Sequence, residues 1–141
     1  MVAARMQVPG KIVVRLRAIC RALPEAAEEA AWVGTRWKVR GKTFAHVVAI
    51  DGGWPPAYVK AAGTAGPAVV LTFRSMLPEV DDHAFRTAPF FKPVWWPDIA
   101  GMFLDAGTDW DDAAKLIAGS YRMLAPKTLA GDLRQLPNRP T

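Results

Sequence analysis

Apolar residues recur along this chain at two spacings, and the switches between them mark out its elements. From Lys11 to Leu23, Ile12, Leu16, Ile19 and Leu23 form one stripe at helical spacing. Lys11, Arg15, Arg17 and Arg21 lie off that stripe, so the expected element is an amphipathic helix with a basic outer side, opened near Pro9 and closed by Pro24. Cys20 flanks the stripe as a small packing residue. Glu25 to Ala30 is an acidic connector leading toward a strand. In Trp32 to Ile50, Arg36, Lys38 and Arg40 alternate with Trp37 and Val39, which puts the cations on one face of a strand and the apolar pair on the other. Gly41-Lys42 is the expected tight turn, and Thr43 to Ile50 the more apolar return strand.

The second half repeats the same logic. Residues 51–66, DGGWPPAYVKAAGTAG, show no clear period and read as a loop. Trp54 beside Pro55-Pro56 is expected to anchor that loop by packing, with a partner contact as the other reading. Pro67 to Arg74 is a buried strand, and Ser75 and Pro78 open a short helix through Val80, Ala84, Phe85 and Ala88. Phe90 to Trp96 is a strand disturbed at Pro93, which suits an edge. Trp95 and Trp96 are adjacent, so in extended chain they point to opposite faces and one of them is available to a partner. Ala100 to Asp105 returns, with Met102 and Leu104 opposite Phe103. The clearest helix follows: Asp109 caps it, Asp111 and Asp112 suit its positive end, and Trp110, Ala113, Ala114, Ile117, Tyr121 and Leu124 share one face until Pro126 stops it. Leu129, Leu133 and Leu136 suggest one more short helical pattern before a frayed end.

Composition narrows the class. With 141 residues, 51% hydrophobic, the chain is expected to form one domain, its core about residues 11–134. No apolar run approaches the roughly 18 to 20 residues that span a bilayer, and no secretory signal core precedes Pro9. A single cysteine forbids an internal disulfide and fits a reducing cytoplasm. Net charge is +5, and all the excess lies early: residues 1–46 hold nine Lys/Arg against three Glu. Such asymmetry is a footprint that nucleic acid or another polyanion can use.

Catalytic signatures are missing. His46 and His83 stand 37 residues apart, outside any metal-ligand spacing, and no phosphate-loop, dinucleotide or nucleophile-elbow motif occurs. Ser75 and Ser120 are the only serines, and the Asp81-Asp82 and Asp111-Asp112 pairs sit at helix starts where capping accounts for them. His46, on the strand face shared by Phe44 and Val48, reads as a structural imidazole. No enzyme activity, cofactor or metal is expected.

Several phrases resemble the MmcQ/YjbR family: LPEAAEEAAW, WKVRGKTFAHV, the aromatic-Pro-Trp strand before GMFLD, and DWDDAAKLIAGSYRMLAPKTLA. The resemblance spans about residues 11–134. It implies an α+β fold of the CyaY-like (frataxin-like) kind, an antiparallel sheet with helices packed on one face, and a double-wing motif of a DNA-binding type. Two functional expectations follow. The first is a non-enzymatic domain that binds DNA or another polyanion weakly through Arg36, Lys38, Arg40 and Lys42 of the hairpin, with Lys11, Arg15 and Arg21 as a second patch. The second is a protein-interaction or small-ligand module using Trp54, Trp95 and Trp96 with the 51–66 loop.

Overall fold

The computed structural model describes residues 6–75, 88–93 and 98–128. The expected helix after Pro78, Trp95 and Trp96, and the Leu129–Leu136 pattern lie outside the described residues. Six strands are β1 (Ala27–Ala30), β2 (Thr35–Val39), β3 (Lys42–Ile50), β4 (Ala68–Arg74), β5 (Phe90–Phe91) and β6 (Ile99–Leu104). They form one sheet in the order β1-β2-β3-β4-β6-β5, with every pair antiparallel. Among the described residues three helices accompany it: α1 (Gly10–Arg21), α2 (Pro56–Ala62) and α3 (Trp110–Leu124). The protein is an α+β domain.

Alternation along the central strands gives the sheet two apolar faces. Val47, Val69, Leu71, Phe73, Met102 and Leu104 point to one side, where they meet Leu16 and Cys20 of α1 and Ala113, Ile117 and Tyr121 of α3. Val48, Ile50 and Val70 point to the other, where Tyr58 of α2 packs on them with Phe91. Two helices therefore share one face, and the third covers part of the opposite one. That third helix lies in the stretch expected to be loop. It is only seven residues long, too short to show a stripe, yet it starts at Pro56 and stops at Gly63, whose φ of 74° is left-handed. Proline at a helix start and glycine just past its end are the relevant local signals.

The hairpin differs from its expected form in two places. Its loop is Arg40-Gly41, with φ of 50° and 80°, one residue earlier than expected. Two positive φ values in a two-residue loop match the right-handed twist of the flanking strands. Arg40 therefore leaves the strand face that Arg36 and Lys38 occupy. Close to the turn the pairing slips: Trp37 faces Ala45 and Lys38 faces Thr43, leaving Phe44 as an extra residue in β3. The bulge sends Phe44 to the α1/α3 side, where its ring meets Tyr121 edge-on at 5.5 Å. His46 keeps the face of Val48 but does not share it with Phe44.

The element whose pattern was clearest matches closely. Asp109 accepts hydrogen bonds from the amides of Asp111 (3.0 Å) and Asp112 (3.1 Å), and α3 ends at Leu124, with Ala125 extended before Pro126.

Candidate anion-binding surfaces

The basic residues named from sequence divide into two groups, paired and unpaired. On the hairpin, Arg36 pairs with Glu29, and Lys38 reaches the same carboxylate oxygen at 3.4 Å. The reason is register: β1 lies antiparallel to β2, so Glu29 stands directly across from Arg36. Arg40, displaced into the turn, forms a two-pronged pair with Glu25, its Nε and Nη2 donating at 2.7 and 3.0 Å. Four hairpin cations less two carboxylates leave two positive charges. Lys42, exposed at the start of β3, has no carboxylate partner among the described residues.

The same acidic connector reaches α1. Glu28 accepts from Arg17 at 2.8 and 2.9 Å and from the indole N–H of buried Trp37 at 2.9 Å. Each of these carboxylates is held below its ordinary range by its guanidinium partner: Glu28 by Arg17, Glu29 by Arg36 and Glu25 by Arg40. Arg21, one turn beyond Arg17, lies in the field of Glu28. Such half-exposed pairs add little stability. Their effect is to cancel part of the charge that the linear sequence concentrates in this region.

Lys11 and Arg15 lie a turn apart on another side of α1, away from Glu28. Both are exposed, and neither is ion-paired among the described residues. They line a groove of about 780 Å³ where α1 passes the start of β4, the end of β6 and the first turn of α3. Its floor is apolar, with Ile12, Val69 and Leu104, and Asp105 is its one carboxylate. Asp105 is engaged locally, accepting from the Gly107 amide at 2.8 Å. The Arg15 guanidinium lies 5.1 Å from the centre of the Trp110 ring. Stacking orders that side chain and leaves its in-plane N–H donors available. Pro9 is the N-cap of α1 and supplies no side-chain cap, so the positive end of the helix dipole also opens near this groove.

Trp54 is half-buried and packs edge-on against Trp32 at 5.5 Å. Trp32 is 88% exposed, and the pair borders a cavity of about 270 Å³ with Met6 and Val8. Sequence reasoning named Trp54 but not Trp32, and it did not find Trp110. Arg15 and Trp110 belong to elements at opposite ends of the chain, and no local pattern links them.

Among the described residues, Cys20, His46 and Ser120 each have a structural role. Cys20 is fully buried, and burial pushes its thiol far above the usual range, with Glu28 adding to the shift. His46 Nε2 lies 2.6 Å from the Val33 carbonyl. A carbonyl only accepts, so Nε2 carries the proton and Nδ1 accepts from the Tyr58 hydroxyl at 3.0 Å. Burial lowers the imidazole pKa and raises that of the phenol. Ser120 Oγ donates to the Phe44 carbonyl at 2.6 Å and accepts from the Arg74 amide at 2.8 Å. Among the described residues no group of three His, Cys, Asp or Glu could hold a metal ion. No helix among them is long and apolar enough to cross a membrane.

The fold defines an α+β domain with one antiparallel sheet and helices on both its faces. The chain belongs to the YjbR family, whose model matches residues 21–123. Lys11 and Arg15 precede that matched segment. Among solved structures, a protein from Pseudomonas syringae aligns with a TM-score of 0.59 at 11% identity, covering 82% of this chain and 99% of that one. At that identity the likeness speaks to fold alone. No curated protein matches this chain.

Proposed function

We propose that this protein is a non-enzymatic binding domain for a polyanion, DNA in the first instance, and that α1 leads the contact in place of the hairpin. One observation carries the reading. Among the described residues Lys11 and Arg15 have no carboxylate partner and line one groove, whereas Arg36, Lys38 and Arg40 each already hold a carboxylate. A phosphate approaching the hairpin must compete with Glu25 and Glu29. One approaching α1 meets two free cations, the helix's positive end and an apolar wall for the sugar or base. Lys42 supplies a third cation from the hairpin. The lone buried cysteine suits a reducing compartment, and the cytoplasm is the proposed location.

Three phosphate contacts predict a drop in affinity of about 40-fold between roughly 50 and 200 mM salt. Fluorescence anisotropy with a labelled duplex measures this directly. Lys11→Glu combined with Arg15→Glu should abolish binding at low salt, while Arg36→Gln combined with Arg40→Gln should retain most of it. Absence of binding at low salt, or binding untouched by the α1 pair of substitutions, removes the proposal. In that case the Trp32–Trp54 pair becomes the leading surface, because an exposed aromatic pair beside a cavity suits a protein partner. Trp32→Ala should then weaken capture of that partner without changing stability.

A further inference from the structure

A second concave site lies on the opposite face of the sheet, away from the α1 groove. Register builds it. Arg36 in β2 faces His46 in β3, which faces Thr72 in β4, so the three form a polar row across adjacent strands. Arg74 lies two residues beyond Thr72 and projects to the same side. Strand spacing and the two-residue offset put the Arg36 and Arg74 backbones about 12 Å apart across the sheet, and both residues line one cavity over this row. Thr43 and Tyr58 complete the polar lining of a cavity of about 160 Å³, and Ile99 adds apolar wall. At the volume of liquid water it would hold about five molecules, so an anion with four oxygens fits.

The donor inventory indicates the ligand. Among the described residues, both charged groups in the lining are guanidinium ions and no carboxylate lines the cavity. Glu29 and Asp98 pair with Arg36 and Arg74 from outside the lining. These pairs order the guanidinium planes, and a bound anion shares Arg36 with Glu29 and Arg74 with Asp98 through the donors left over. Each guanidinium has five N–H donors, and Arg74 gives one Nη1 bond to Asp98 while Arg36 gives Nε and Nη2 to Glu29. Lys38 shares Glu29, so that trio keeps one net positive charge. The Thr43 hydroxyl adds a donor with no hydrogen-bond partner among the described residues, whereas the Thr72 hydroxyl donates to the His46 carbonyl at 3.5 Å. His46 stays neutral with its N–H committed to Val33, so it shapes the floor without adding charge.

We propose that this cavity is a binding site for a small tetrahedral oxyanion, of phosphate or sulfate type, held by Arg36 and Arg74 with Thr43. Inorganic phosphate is the probe. It is titrated into the full chain at constant ionic strength, with chloride as the balancing anion, while backbone amide shifts are followed by NMR. The expected result is saturable shifts over residues 43–46 and 72–74, reproduced by sulfate and absent with acetate. Arg74→Gln and Arg36→Gln should each weaken the affinity about tenfold or more, the usual loss for a charge-assisted hydrogen bond. The double variant Lys11→Glu, Arg15→Glu should bind phosphate as the wild type does, which separates this site from the α1 groove. The amide spectrum of each variant reports whether it is folded. Shifts that never saturate, that chloride or acetate reproduces, or that survive in both folded arginine variants would overturn the proposal.

Discussion

Ser120 shows how much one polar side chain can connect. Its hydroxyl is fully buried in α3 and joins the Phe44 carbonyl of β3 to the Arg74 amide of β4. The Phe44 carbonyl belongs to the bulge residue, which the β2–β3 ladder leaves unpaired. Ser120→Ala strands a buried acceptor and a buried donor together, and the expected cost is about 1–3 kcal/mol. Urea unfolding measures it, and a change below experimental error would show that water takes over both bonds. Nothing about Ser120 in sequence announces this, because its partners are 76 and 46 residues away. Tyr121 beside it is a similar case, its hydroxyl donating to the Pro24 carbonyl at 2.7 Å.

Local chemistry governs single elements when they are long and periodic. The apolar face, the cap and the stop of α3 were all legible, because each depends on residues within a few positions of one another. Replacing Asp109 with alanine removes the acceptor for two first-turn amides and should cost about 1 kcal/mol. Helical content and melting temperature check this, and Asp109→Asn should recover most of the loss. For α2 the same signals were present, but seven residues cannot display a stripe. Its helical state is secured by Tyr58 packing on Val48, Ile50 and Val70, which are contacts across the sheet. The hairpin illustrates a third situation. Alternation put Arg36 and Lys38 together on one face, yet the one-residue difference in the turn moved Arg40 off it.

Taken whole, the molecule stores much of its pH sensitivity where β1 meets α1 and the hairpin. Glu25, Glu28 and Glu29 each titrate below their ordinary value of 4.5 when folded, through hydrogen bonds to Arg40, Arg17 and Arg36. A folded value below the unfolded one means stability that is complete above 4.5 and lost as pH falls through the folded values. His46 is also depressed, from 6.5, by burial and then by the nearby Arg36 charge. Its contribution starts to fade as pH falls below 6.5 and levels off once the folded imidazole protonates. Stability measured against pH should therefore decline in two limbs, one from about 6.5 and one below 4.5. His46→Gln should erase the upper limb and leave the lower one. Persistence of the upper limb in that variant would assign it to another group.

Sequence by itself determined the two long helices, the alternation of the central strands and the early concentration of positive charge, each of which follows from composition or from relations among near neighbours. The α+β class was implied by the chain's resemblance to its family. Tertiary structure alone decided what the charge amounts to. Strand register set Glu29 against Arg36, a turn carried Arg40 to Glu25, and helix packing turned Arg17 toward Glu28 and Lys11 with Arg15 toward a groove. Coulomb interactions at these distances depend on position in space, and position comes from pairings between elements that periodicity does not specify.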